Sequence, residues 1–167
     1  MLYLIGGAAP SGKSTLARRL PDAQGAPCFC LDYLTSGLEE GAPGLGVRHE
    51  LTNRRRAELV WPIVRGLLRN VVDVERGYVA EGDVLLVAEF AAAREGRVRA
   101  CSLGCSDGAA VDKRASIRAF PSAVNDWVAG LSDRDLGELV AEMHFDGSGS
   151  VTDALRRAEE YLVGGGQ

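Results

Sequence analysis

The sequence predicts an α/β domain in which a parallel sheet carries helices on both faces. Two observations predict it. Short apolar runs alternate along the chain with stretches of helical periodicity, and that alternation belongs to a parallel sheet with crossover helices. The first apolar run also feeds directly into a glycine-rich loop and then a helix. The 167 residues fit a single domain spanning 1–167, with no internal repeat and no interdomain linker.

Leu2–Ile5, broken by Gly6 and Gly7, reads as a buried strand. Lys13–Leu20 has a helical pattern stopped by Pro21. Ala26–Asp32 (A-P-C-F-C-L-D) reads as a second short strand ending in an acid, and Gly37–Gly46 as a glycine-rich loop. From about Arg48 to Arg76 the apolar residues Leu51, Leu59, Ile63, Leu67, Leu68 and Val71 recur at helical spacing, with Pro62 as a kink or break. Tyr78–Ala80 opens a third strand that meets Glu81-Gly82-Asp83, and Val84–Arg94 leans to a helix after the turn. Arg97–Leu103 alternates as a strand, Gly104–Gly108 is a loop, and a basic helical stretch follows. Pro121 starts a further helix, and Ser132 is placed to cap another. His144–Asp146 is a very short last strand, Gly147–Ser150 a turn, and Val151–Val163 an amphipathic helix.

Hydrophobic residues make up 46% and charged residues 25%, as in a folded, water-soluble protein rather than a disordered one. The net charge of −4 gives no overall pull toward nucleic acid or an anionic membrane, so a nucleic-acid role would need a local basic groove. No basic, aromatic-laced stretch supplies one. Val84–Ala88, the longest apolar run, is too short to cross a bilayer, and the amino terminus lacks the basic and apolar regions of a secretory signal; a cytoplasmic location without a membrane partner is expected. Cysteines stand at 28, 30, 101 and 105 in spacings that miss the usual zinc patterns, which reads as reduced, partly buried thiols. Basic charge is almost all arginine, seventeen residues against Lys13 and Lys113, so each lysine position is informative.

Ligands of open parallel sheets sit at the carboxyl ends of the strands. After the first strand stands Gly7-Ala8-Ala9-Pro10-Ser11-Gly12-Lys13-Ser14-Thr15, which matches G-x-x-x-x-G-K-[ST] in the required order of strand, loop and helix. Gly7 and Gly12 let the backbone turn and approach an anion without a Cβ in the way. Backbone N–H groups and the helix amino terminus then face the phosphates. Lys13 offers an ammonium for the β- and γ-phosphates, and Ser14 a hydroxyl for Mg²⁺. ATP and Mg²⁺ are therefore the expected cofactors. A guanine-type N-K-x-D is absent, which disfavours a GTPase-like switch.

This loop resembles that of the P-loop small-molecule kinases, the broad group of adenylate, shikimate and gluconate kinases and the antibiotic-inactivating phosphotransferases. The resemblance implies a three-layer P-loop NTPase fold with a five-stranded parallel sheet in the order 2-3-1-4-5. It extends as a pattern to an acid after strand two, E-G after strand three and a basic lid-like stretch after strand four, although only the phosphate loop is specific as sequence. It implies that Asp32 faces the cleft and orients or deprotonates a hydroxyl acceptor; an Asp there equally suits capping the next helix. Glu81, followed by Gly82, matches the acid that contacts acceptor or metal-bound water, and Asp83 is a second candidate for the Mg²⁺ shell. E-G-D is also ordinary turn composition, and the apolar run ending at Glu89 is a weaker candidate for the metal-side acid. Lys113, Arg114 and Arg118 fall in a lid-like segment of about 104–120; Arg114 and Arg118 share a helical face and would touch phosphates, or else lie on a solvated helix.

The acceptor-binding region is expected over about 38–76. Arg54, Arg55 and Arg56 would suit a phosphate-bearing acceptor there, but they fan over a broad face and read as readily as a solvated helix surface. His49 and Asn125-Asp126-Trp127 are minor candidates to border the acceptor, and Asp146–Val151 resembles a loop that supports adenine. Taken together, the sequence points to an ATP-dependent kinase of a small-molecule hydroxyl. A nucleotide-type kinase with a phosphate acceptor and an inactive ATP-binding regulator are the alternatives.

Overall fold

The computed structural model describes residues 1–7, 11–20, 25–74, 77–85, 96–104, 144–146 and 150–164. Five parallel strands form one sheet: β1 (Leu2–Gly6), β2 (Cys28–Cys30), β3 (Tyr78–Gly82), β4 (Val98–Gly104) and β5 (His144–Asp146). Their order is β2-β3-β1-β4-β5, as the resemblance implies. In register, Ile5 lies beside Glu81 and Cys101, and Cys30 beside Glu81.

The described helices are α1 (Lys13–Arg19), α2 (Leu31–Gly41), α3 (Asn53–Val74) and α4 (Val151–Gly164). Alternating strand residues feed two cores. Leu2, Leu4, Ala80 and Ala100 pack with Leu31 of α2 and with Ala57, Val60, Trp61, Val64, Leu68 and Val72 of α3. Tyr3, Ile5, Val79, Cys101 and Leu103 pack with Leu16 of α1 and Leu155, Ala158 and Leu162 of α4. The sheet is thus covered on both faces, which is why its strands read as apolar runs. Arg99 donates to the Leu162 and Val163 carbonyls at 2.6 and 3.0 Å, tying the end of α4 to the sheet. None of the described helices is long and apolar enough to cross a membrane.

Three boundaries differ from the sequence expectation. The second strand stops at Cys30, and Asp32 stands in the first turn of α2 rather than at a strand end. Leu31 is fully buried at that junction, and an acid in a first helical turn is favoured by the helix dipole. The expected loop from Gly37 is helical as far as Gly41, with a short 3₁₀ turn over Pro43–Leu45. Leu31, Leu34 and Leu38 hold that helix on the core, and apolar packing outweighs the low helix propensity of Gly37.

The third helix begins at Asn53, not Arg48, where the Thr52 hydroxyl accepts the Arg55 N–H at 3.2 Å. It runs through Pro62 without a break. Pro62 lies on the exposed face, so water can satisfy the Glu58 carbonyl that loses its helical partner, while the buried stripe keeps the axis continuous. Of the stretch leaning to helix after the turn, Val84 and Leu85 are buried core residues and the rest lies outside the described residues.

Candidate active site

The carboxyl ends of β1 and β3 and the start of α2 meet at the first turn of α1. Gly7 leaves β1 with φ +124°, and a Cβ there would lie 1.9 Å from the Leu103 carbonyl oxygen of β4. Only glycine lets the loop leave the sheet along this path. Gly12 takes φ 97° immediately before α1, and Lys13 and Ser14 then open the helix toward β3. The Ser11 hydroxyl is buried and has no protein partner.

Both side chains that open α1 meet acids of the third strand and its turn. Lys13 Nζ lies 2.6 Å from Asp83 Oδ1, with the two side chains only 6% and 14% exposed. Ser14 Oγ donates to Glu81 Oε1 at 2.9 Å, and Glu81 is buried. Asp32 joins them from α2: its Oδ1 accepts the Asp83 N–H at 3.3 Å. The approach needs Gly82, because a Cβ there would come within 2.8 Å of Leu31 Cβ and 3.3 Å of Asp32 Oδ1. Lys13, Ser14, Asp32, Glu81 and Asp83, five positions singled out in the sequence, therefore form one cluster.

Its electrostatics are dominated by carboxylates. Burial raises the Asp32 carboxyl above the usual range; Asp83 and, more weakly, Glu81 push it up further, against the pull of Lys13 and of the Asp83 N–H. Burial is also the largest cause that pushes the Cys30 thiol up to about 12, with the Asp32 charge adding to it. Cys28 is raised by burial and then by Glu81. Such thiols stay protonated at neutral pH and are poor nucleophiles. Cys30 borders the site, a neighbour that sequence reasoning missed. The available signal was its place two residues before Asp32 at the end of the second apolar run; its register beside Glu81 is visible only in the sheet. Cys101 is fully buried, and the three described cysteines are free thiols.

The crowded acids test the fit of a divalent cation. Among the described residues no group of three His, Cys, Asp or Glu side chains is placed to hold a metal by itself. The Ser14 hydroxyl and the Glu81 and Asp83 carboxylates are nevertheless hard oxygen donors at the foot of the phosphate loop. That is the donor type of Mg²⁺, which takes one or two carboxylates and completes its shell with phosphates and water. The orphaned Ser11 hydroxyl and the buried Lys13 ammonium likewise fit an anion lodged in the loop.

Other sequence candidates are not brought to this cluster. Arg54 Nε and Arg55 Nη1 pair with Glu58 at 3.3 and 3.0 Å on the exposed side of α3. Arg56 bonds the Asn53 side chain, and His49 pairs with Glu39 at 2.9 Å. Ala8, Ala9 and Pro10, Glu89, the residues Lys113, Arg114 and Arg118 expected in a lid, Asn125-Asp126-Trp127 and residues 147–149 lie outside the described residues.

The strand order β2-β3-β1-β4-β5 with helices on both faces is the one that the resemblance to the P-loop small-molecule kinases implies. No family model matches the sequence, and no curated protein matches it. Solved structures do. A gluconokinase from Sinorhizobium meliloti 1021 superposes with TM-score 0.62 at 18% identity, covering 96% of this chain and 90% of its own. A shikimate kinase from Bacteroides thetaiotaomicron gives TM-score 0.57 at 16% identity, covering 97% of this chain and 98% of its own. One from Acinetobacter baumannii, in complex with shikimate, gives 0.57 at 15%, covering 99% and 94%. The likeness spans nearly the whole of each chain and is one of fold.

Proposed function

We propose that this protein is an ATP-dependent phosphotransferase that moves the γ-phosphoryl of ATP·Mg²⁺ to a hydroxyl of a small molecule in the cytoplasm. One observation carries the reading: an acid with raised proton affinity, Asp32, stands within hydrogen-bond reach of the turn that holds the phosphate-loop lysine. The loop Gly7–Thr15, including Ala8, Ala9 and Pro10, cradles the triphosphate, and Lys13 offsets phosphate charge. Ser14 and Asp83 would hold the magnesium ion, which when bound neutralises charge on the phosphates. Asp32 accepts the proton of the attacking hydroxyl; a carboxyl whose proton affinity is raised by burial is better suited to that task than an ordinary aspartate. Glu81, held by Ser14, orients the acceptor side of the site.

Arg114 and Arg118 are assigned to the transferring oxygens from a lid over about 104–120, and residues of about 38–76 to the acceptor, within one domain spanning 1–167. A hydroxyl acceptor is favoured over a phosphate acceptor by the pairing of Arg54 and Arg55 with Glu58, which engages the two guanidinium groups along α3. The similar gluconate and shikimate kinases are named for hydroxyl-bearing substrates, which agrees with this choice.

The test is acceptor-dependent ADP formation in a screen of sugars, nucleosides, hydroxy acids and antibiotics. Asp32→Ala is expected to lose turnover at least a hundredfold, the usual lower bound for a general base, while keeping ATP affinity within about threefold. Near-normal turnover of the variant defeats the hydroxyl mechanism. ATP binding without turnover on any acceptor would instead identify a regulatory nucleotide-binding protein.

A further inference from the structure

Both polar side chains that the phosphate loop would turn to a nucleotide are already engaged by acids from one strand end. Lys13 is held by Asp83 at 2.6 Å and Ser14 by Glu81 at 2.9 Å. We propose that Asp83 makes nucleotide binding conditional on a divalent cation, by competing with phosphate for the Lys13 ammonium. This rests on the nucleotide-binding reading above and adds a selectivity to the same site: the metal complex of the nucleotide is taken and the metal-free nucleotide refused.

The competition is strong because the contact is nearly desolvated, with the two side chains 6% and 14% exposed, where salt and water screen charge least. Asp83 is also rigidly presented. It follows directly on β3, and its N–H is held by the Asp32 carboxylate at 3.3 Å. Gly82 admits this close approach, since any larger residue would collide with Leu31.

A metal-free phosphate that draws Lys13 away leaves Asp83 without its cation. That carboxylate then stands close to Asp32, near Glu81, and opposite the new anion. Removing one partner of a nearly buried ion pair is costly because the other charge stays behind, and like charges add to the cost. With a divalent cation in the site, Asp83 keeps a positive partner when it releases Lys13, and the penalty is removed. The same acid is thereby both latch and receiver.

Titration calorimetry with ADP separates this from a passive ion pair, because ADP binds without chemistry. Wild type and Asp83→Asn are each titrated in EDTA and in magnesium. The variant keeps the shape of the side chain but no charge to hold Lys13. It is expected to bind metal-free ADP about tenfold or more tightly than wild type, the size of one hydrogen bond to a charged group. Its gain in affinity on adding magnesium is expected to be smaller than that of wild type. Equal metal-free affinities, or an unchanged magnesium gain, overturn the proposal. Asp83→Ser, expected to shift both quantities in the same direction, serves if the asparagine variant does not fold. The parent reading fails by a different result: no heat from wild type with ADP in magnesium.

Discussion

Asp32 shows how one carboxyl group is set by its surroundings. Burial, Asp83 and Glu81 raise its proton affinity, while Lys13 and one backbone N–H lower it, and the net shift is upward. The folded protein therefore holds this proton to a higher pH than the unfolded chain does. Between the ordinary aspartate range and the raised folded value, the native state binds more protons, so stability falls as pH rises through that window and then levels off. Asp32→Asn removes this slope. The variant is expected to match or exceed wild-type stability at neutral pH and to gain less than wild type as pH is lowered through the window. Urea midpoints for both proteins across a pH series check it, and parallel curves would show that Asp32 titrates in the native state as it does unfolded.

At the scale of elements, the junction of β3 with α2 carries the geometry of the site. Gly82→Ala would set a methyl 2.8 Å from Leu31 Cβ and 3.3 Å from Asp32 Oδ1. Leu31 is fully buried and belongs to the main core, so neither side yields easily. The substitution is expected to cost about 1–3 kcal/mol, the usual range for overpacking, and to weaken acceptor-dependent turnover through displacement of Asp32. Chemical denaturation with a turnover assay checks both, and a variant unchanged in both would mean that the junction has slack.

The same junction shows what was legible in the sequence. The phosphate loop was readable because each of its residues has a local task, and the acids at 32, 81 and 83 were readable because they follow apolar runs. The end of β2 was not, since the burial of Leu31 and the packing of Leu34 and Leu38 on a core built by α3 are tertiary effects that a glycine-containing segment conceals. The pairings Lys13–Asp83 and Ser14–Glu81 were equally hidden, because they join residues about seventy positions apart through the sheet order. The helical stretch around Pro62 shows the converse. A strong local breaker was overruled because it falls on the wet face of a helix whose buried stripe is intact.

For the whole molecule, Gly7 and Gly12, which flank the expected phosphate loop, tie β1 and α1 to the rest of the fold. Gly7 abuts the Leu103 carbonyl of β4, and Gly12 packs toward Leu155 of α4, where a Cβ would lie 3.2 Å from that side chain. Lys13, Ser14 and their acids link α1 to β3. A ligand held by this loop therefore binds contacts that exist only in the folded sheet, and unfolding must release it. Under that linkage, Mg·ADP at a hundredfold excess over its dissociation constant stabilises the native state by about 2.7 kcal/mol. In a chain of this length each kcal/mol raises the melting temperature by about 2–4 °C, so an increase of roughly 5–10 °C is expected. Lys13→Met is expected to abolish the increase, since it removes the one ammonium in the described site. The variant also leaves Asp83 almost buried without its cation, so its ligand-free melting temperature should fall below that of wild type. Differential scanning fluorimetry of both proteins, with and without Mg·ADP, reads the two effects separately. A wild-type melting temperature indifferent to saturating Mg·ADP would mean that the loop holds no nucleotide, whatever the likeness of the fold.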